Sequence, residues 1–349
     1  SVATTIPNPT LQHEFDDFAL TRKLSIVQPL AWLARRPSDA AAGRAFVARG
    51  LADSVQAIAE LGRDVRHAFY GALAAGEIVR LSGEQVAAAE SLLAAADRRL
   101  AAGDIAAFER DQVAQDVSLI RLSASRARSD AGVAQVELRR AIVWDPAAPL
   151  NAVGALDAGV NEAAVATRDP VVREAVQSLP ALRSALADSL AAVARLRGAR
   201  IAQIPIPGVL IGREWGGDAG NSNAILGFAV PVPLWSFGRE AVAQAKAAAA
   251  ASAAHAAEAR LTIDASVAAA HVRLAEAAAR ARTARDSLRA ESARIRAGAV
   301  RLYEEGRSDV TRVLEALRAE RDVGQTIVRE LLEFQLARAD LLATLGQWQ

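Results

Sequence analysis

Hydrophobic positions along this chain follow two rhythms. In "AILGFAVPVPLW" (224–235), Leu226, Phe228, Val230, Val232 and Leu234 fall on one face and Gly227, Ala229, Pro231 and Pro233 on the other. Alternation of this kind predicts a strand with one apolar face, and proline at alternate positions argues against a central strand of a soluble sheet. "PGVLIGREWGG" (207–217) is also extended in character, and the turn formers "DAGNSN" (218–223) separate the two, so about 207–235 predicts a β-hairpin. A weaker pair stands near the start. "PTLQHEFDDF" (9–18) and "KLSIVQPLAWL" (23–33), with Leu24, Ile26, Leu30 and Trp32 on one face, predict a hairpin at about 9–33.

Elsewhere the rhythm is helical. Residues 239–305 hold no proline and one glycine past their start, Gly298, and predict a helix of roughly 100 Å at 1.5 Å per residue. The segment of about 39–102 predicts a second long helix. Its glycines, Gly43, Gly50, Gly62, Gly71, Gly76 and Gly83, each cost up to about 1 kcal/mol relative to Ala, so it is expected to be less regular. Each long helix is followed by a return helix, at about 105–143 and 309–345. Along the latter, Val310, Val313, Leu314 and Leu317 form an apolar face that Val328, Leu331, Leu332, Gln335 and Leu342 continue. A Pro-, Gly- and Asn-rich stretch, 145–170, reads as a connector with short helical pieces, and about 169–203 predicts a further helix.

The two halves resemble each other. "RRLAAGDIAAFERDQ" (98–112) and "RLYEEGRSDVTRVLEALRAERD" (301–322) both interrupt helical sequence with turn chemistry, and Gly103 and Gly306 lie 203 positions apart (306 − 103). Pro29 and Leu30 match Pro233 and Leu234 at an offset of 204 (233 − 29). Two landmarks at nearly one offset indicate an internal repeat. It divides the chain into a first repeat, 1–150, and a connector with the second repeat, 151–349. The helix of about 169–203 has no counterpart before the first hairpin, so an N-terminal truncation of some 35 or more residues is expected.

Composition sharpens this picture. Hydrophobic residues make up 52% of the 349, but Ala supplies nearly half of them and aromatics are only 4%. Small side chains suit close helix packing better than a thick globular core. Helices this long need neighbours along their whole length, as in a coiled coil or helical cylinder. A net charge of +1 carries no bias toward nucleic acid or anionic lipid. There is no Cys, which excludes disulfides, thiolate metal sites and Cys nucleophiles. No apolar run reaches the ~20 residues of a transmembrane helix; a β-barrel route into a membrane stays open.

Candidate chemistry is sparse. His13, His67, His255 and His271 are not at ligand spacing, and no HxxxH or HExxH motif accompanies them. No GxGxxG, P-loop or GxSxG motif occurs, and "GREWGGDAGNSN" (212–223) reads as a hairpin loop. No catalytic residue, metal site or cofactor is expected. Trp32, Trp215 and Trp235 lie at predicted strand ends, where an interfacial aromatic girdle would place them. Four strands cannot close a membrane barrel, because known barrels start at eight. Three copies would supply twelve, with the helices continuing the barrel as a tube.

In this order of elements the chain resembles the TolC-like outer-membrane channels of tripartite efflux pumps. The residues that carry the resemblance are "IPNPTL" (6–11), "VPVPLW" (230–235), "LYEEGRSDVTRVLEA" (302–316) and "ADLLATLG" (339–346). "PNPTL", "AGDIAAFERDQ" and "VPVPLW" look most like the branch serving heavy-metal resistance. The resemblance implies a mainly α fold with a small β part: two-repeat long antiparallel helical hairpins forming an α-barrel, and four strands per chain contributing to a trimeric 12-stranded membrane β-barrel. It implies a passive homotrimeric duct in the outer membrane, with the helices in the periplasm. The duct would carry metal cations or small toxic molecules, working with a periplasmic adaptor and an inner-membrane transporter and without enzymatic activity. The turns at Gly103, Asp104, Gly306 and Ser308 would then lie at the periplasmic tip, in contact with the adaptor. Family gate positions fall on Tyr303, Arg307 and Glu315, although Arg307 follows the tip glycine one position earlier than in the best-known members. Two other classes fit less well. A periplasmic adaptor would carry one helical hairpin rather than two, and a soluble helical scaffold leaves the alternation at 224–234 unexplained.

Overall fold

The computed structural model describes residues 6–16, 21–145, 148, 150–161, 179–216, 222–232, 235 and 237–347. The elements are β1 (Thr10–Asp16), β2 (Thr21–Pro29), α1 (Ala31–Ala102), α2 (Ala107–Ala141), α3 (Pro180–Ile201), β3 (Gly208–Gly216), β4 (Ser222–Ala229), α4 (Arg239–Thr283), a π-helical turn (Ala284–Leu288), α5 (Arg289–Glu304) and α6 (Val310–Thr344). The fold is mainly α with one four-stranded sheet. The chain forms two compact units, each drawn from both halves of the sequence: residues 1–56 with 176–263, and 57–175 with 264–349.

In the first unit the strands pair antiparallel in the order β1-β2-β3-β4. The register aligns Leu11, Ile26, Ile211 and Leu226 in one row across all four strands. These side chains share a face and are exposed, Ile211 at 61% and Leu226 at 79%. The opposite face carries Gln12, Glu14, Lys23, Ser25, Glu214 and Asn223, with Val27 and Leu210 at its helix-proximal end. Lys23 there pairs with Glu214 at 3.7 Å. A sheet in water hides its apolar row; this one displays it, with His13, Arg22 and Arg213 on the same face toward the hairpin loops, and carries its carboxylates Glu14, Asp16 and Glu214 on the opposite face. Gly212 lets β3 approach β2, since a Cβ would meet the Leu24 carbonyl oxygen at 2.7 Å.

Several element bounds differ from those the sequence predicts. Leu30 and Trp32 do not extend the strand face of Leu24 and Ile26, because β2 ends at Pro29 and α1 begins at Ala31 rather than near 39. Pro37 lies inside that helix and removes one backbone donor without ending it. β4 ends at Ala229, so Pro231 lies beyond the sheet, where its missing N–H breaks no ladder, and the exposed Val230 and Val232 follow the strand rather than belong to it. Within the connector, residues 156–161 form turns and 150–155 belong to no regular element, while 162–170 lie outside the described residues. Leu234, Pro233, the hairpin tip 217–221, and 162–178, which includes the start of the helix expected from 169, lie outside the described residues.

α3 starts with Pro180 at its first turn and packs on α1 through small residues. Ala187, Ala191 and Ala194 are buried, and a Cβ at Gly198 would stand 3.1 Å from the Ser38 hydroxyl. Two polar links reinforce this contact: Arg49 Nη1 donates to Asp188 at 2.9 Å and Ser184 Oγ to Asp53 at 2.6 Å. The Ser184 hydroxyl, with help from Arg49, holds the Asp53 carboxyl below its ordinary range.

The second unit holds two hydrophobic clusters. One joins Ala270, Leu274, Ala277, Ala278 and Ala281 of α4 to Ile327, Val328, Leu331 and Phe334 of α6, with Leu156 and Val160 of the connector. Alanines along α4 let the helices close up, and Phe334, fully buried, fills the space between them. Gln335, also fully buried, donates through Nε2 to the Leu156 and Ala158 carbonyls at 2.8 and 2.9 Å, fastening the connector to α6. The other cluster lies toward the helix turns.

The regularity of the long helices is the reverse of the expectation. The glycine-rich α1 is unbroken over 72 residues. Gly50, Gly71, Gly76 and Gly83 have open space where a Cβ would stand, so they cost propensity without forcing a kink. The glycine-poor partner is interrupted by the π turn at 284–288. There Ala284 is buried, and Arg285 donates to Asp286 and Asn161. Such turns insert one extra residue into an α-helix.

Candidate functional site: the helix-hairpin tips

Both long helices of the second unit end in one backbone motif. At the first tip, Gly103 has φ +79°, its N–H donates to the Leu100 carbonyl at 3.0 Å, and the Asp104 N–H donates to Arg99 at 2.9 Å. At the second, Gly306 has φ +69°, its N–H donates to Tyr303 at 3.0 Å, and the Arg307 N–H donates to Leu302 at 2.9 Å. Each is a Schellman cap that glycine reaches without a Cβ penalty. The return helices α2 and α6 are both 35 residues long, and their starts lie 203 positions apart (310 − 107). Their ends match too: Val143 and Gly346, again 203 apart (346 − 143), both have positive φ.

The tips differ in how the return helix begins. Asp309 caps α6, its Oδ1 accepting from the Thr311 N–H at 3.3 Å, whereas Ala106 offers α2 no side-chain cap. They differ in charge as well, with Asp104 and Arg307 occupying the same place in the two caps.

Beneath the tips, Val113, Val117, Val310, Val313, Leu314 and Leu317 pack with Ala89, Ala96 and Tyr303. Ion pairs stitch the helices together. Arg110 meets Asp97 at 2.8 Å and Arg121 meets Glu90 at 2.6 Å, between α1 and α2. Arg296 meets Glu320 at 3.0 Å between α5 and α6, and Arg318 meets the mostly buried Asp116 at 2.6 Å between α6 and α2. The Asp97 carboxylate, as hydrogen-bond acceptor and opposite charge, raises the Arg110 pKa further.

The three residues assigned to a gate have different surroundings. Tyr303 is 3% exposed, and its hydroxyl has no hydrogen-bond partner. The Arg99 guanidinium lies 4.7 Å from its ring centroid, and Arg99 Nη1 donates to the Tyr303 carbonyl at 3.5 Å. Arg307 is exposed and pairs with Glu305 at 3.3 Å. Glu315 is exposed on α6, directly after the buried Leu314 and before the buried Ala316. Within the chain these three are therefore not brought into mutual contact. Arg99 escaped the sequence reading because its one signal was nearness to Gly103, and nothing local linked it to a tyrosine about 200 positions away. Of the tryptophans, Trp215 lies near the loop end of β3, Trp235 is almost fully exposed beyond β4, and Trp32 lies in the first turn of α1. Among the described residues no helix is long and apolar enough to cross a membrane, and no group of three or more His, Asp or Glu could hold a metal ion.

The fold, a four-stranded sheet with an exposed apolar row on very long antiparallel helices, is that of solved outer-membrane channel proteins. Solved structures share it along nearly the whole chain. A membrane protein from Pseudomonas aeruginosa matches with TM-score 0.80 at 19% identity, over 99% of this chain and 84% of that one. The outer membrane protein VceC from Vibrio cholerae matches with TM-score 0.79 at 13% identity, over 100% and 89%. The MtrE outer membrane channel of Neisseria gonorrhoeae, solved in its open state, matches with TM-score 0.75 at 17% identity, over 99% and 81%. No protein-family model and no curated protein matches the sequence.

Proposed function

We propose that the protein is the outer-membrane channel subunit of a tripartite efflux pump. Three copies pool their strands into a twelve-stranded barrel, and their helices form a tunnel across the periplasm. The observation that carries this reading is the row Leu11–Ile26–Ile211–Leu226, exposed across all four strands. In water such a row is costly, but on the outside of a barrel it meets lipid. The edges β1 and β4 also expose unpaired backbone groups, which closure with neighbouring copies would satisfy.

In this reading the chain consists of two repeats, 1–150 and 151–349, and the tips of both hairpins face the periplasm. Gly103, Asp104, Gly306 and Ser308 meet a periplasmic adaptor, and an inner-membrane transporter supplies the energy. Tyr303, Arg307 and Glu315 restrict the pore at its periplasmic end. The duct is passive and not an enzyme. Its cargo is metal cations or small toxic molecules, the former favoured by the likeness of "PNPTL" and "VPVPLW" to the heavy-metal branch.

The test is extraction of the full-length gene product in detergent. A trimer by light scattering, with a β component in circular dichroism and ion flux after reconstitution into liposomes, is the expected result. A monomer that partitions into buffer without detergent and passes no ions would defeat the channel reading.

A further inference from the structure

We propose that Arg22 and Arg213, on the same face of the sheet as the exposed apolar row, form a site for the phosphorylated headgroup of a lipid in the outer leaflet. The inference rests on the barrel reading of the sheet and goes beyond it by assigning a ligand and the residues that hold it.

Two rows lie between the Leu226 row and the hairpin loops on that face. His13, Leu24, Arg213 and Ala224 form the first, and Phe15, Arg22, Trp215 and Ser222 the second. Arg213 leans toward the loops, its Nη2 donating to the Ser222 hydroxyl at 2.8 Å. Its guanidinium therefore stands at the level of the second row, that of Arg22, whose own guanidinium lies 5.6 Å from the Phe15 ring centroid. Arg22 and Arg213 are diagonal neighbours on adjacent strands, about 7–8 Å apart at the backbone, a span that two such long side chains can close on one phosphate. Both are exposed, and His13, the diagonal neighbour of Arg22 on β1, flanks them.

Among the described residues nothing on that face neutralises them. The carboxylates of the sheet, Glu14, Asp16 and Glu214, all lie on the opposite face, where Lys23 pairs with Glu214. Every copy in a barrel presents the same four strands, so the described residues of a neighbouring β1 or β4 bring no carboxylate to this face either. Depth identifies the counter-charge. Four positions separate the Leu226 row from the Arg22 row (226 − 222 on β4), about 13 Å of strand. Half the ~25 Å apolar band of a membrane barrel is about the same height. Phe15 and Trp215 in the Arg22 row are the aromatic residues that suit the edge of the hydrocarbon. Cations at that level on the lipid side meet headgroups rather than acyl chains. A guanidinium offers a phosphate two parallel N–H donors, which makes arginine the fitting residue there.

Native mass spectrometry of the full-length trimer in detergent tests this, with bisphosphorylated lipid A, the same lipid stripped of both phosphates, and inorganic phosphate as probes. The wild type should retain the bisphosphorylated lipid several-fold more than the stripped one, and excess inorganic phosphate should not displace it. Arg22→Gln combined with Arg213→Gln should lower retention several-fold. Lys23→Gln, the same change of charge on the opposite face, should leave it at the wild-type level. Should the double glutamine variant fail to assemble, Arg22→Lys with Arg213→Lys takes its place. It keeps the charges, loses the bidentate fork, and should retain the lipid at an intermediate level. Wild-type retention by the arginine variants, in trimers that still pass ions in liposomes, would overturn the site and leave the channel standing. An equal loss in Lys23→Gln would reduce the effect to net charge and overturn it as well. Displacement by inorganic phosphate would make this a site for a free anion and overturn the lipid. A protein that neither trimerises nor inserts would defeat the channel reading and this site with it.

Discussion

At the residue scale, the tips depend on backbone conformations that few side chains tolerate. Gly306 has φ +69° with open space around it, so Gly306→Ala meets no clash and its cost is conformational, about 1–2 kcal/mol. Asp309 supplies the side-chain cap of α6, and Asp309→Ala should cost about 1 kcal/mol. Thermal unfolding followed by circular dichroism should show a lower midpoint for both, with Ala106→Asp moving the other way by capping α2. Gly103 and Gly306 were legible in the sequence because they interrupt helical sequence at matching places in the two halves, 203 positions apart (306 − 103). The burial of Tyr303 and its contact with Arg99 were not, since they depend on two segments about 200 residues apart meeting in space.

At the scale of elements, the sheet is the decisive one. Its register puts Leu226 on the exposed apolar face and Gln12 on the polar one. In the proposed barrel, Leu226→Arg would set a charge against the hydrocarbon core, at about 2–4 kcal/mol near the bilayer midplane. Gln12→Arg would leave the charge on the side that faces water in a barrel. Insertion into liposomes, read by protection from protease, should fall sharply for the first variant and change little for the second. Equal insertion of both would mean that the exposed row does not face lipid. The alternation of Leu226 and Phe228 announced this face from sequence alone. The end of the strand at Ala229 was less legible, because apolar alternation continues through Val230 and Val232 where pairing has stopped. The helices teach a related lesson. Counting glycines favoured the 239–305 segment as the more regular, yet the π turn lies there, because Arg285 and buried Ala284 answer to the connector and the core rather than to propensity.

At the scale of the whole molecule, no further strand pairs with β1 or β4 among the described residues, and the apolar row is exposed. Closure belongs to the assembly proposed above. In that assembly the exposed Glu315 of three copies would surround the pore. Glu315→Ala is therefore expected to raise single-channel conductance, and an unchanged value would remove Glu315 from the gate. Exposed charges are individually worth only about 0–1 kcal/mol, so the effect should be an altered open fraction rather than a collapsed trimer.

The amino-acid order by itself determined the elements, their approximate lengths and their doubling at an offset near 203. These follow from periodicity, helix propensity and turn chemistry, all of which act between neighbours in the chain. Only the tertiary structure decided which strands pair, which face of the sheet is left uncovered, and that Arg99 lies over the Tyr303 ring. Those outcomes depend on contacts between distant residues, where backbone pairing, side-chain volume and the burial of charge select one partner from many that local sequence leaves open.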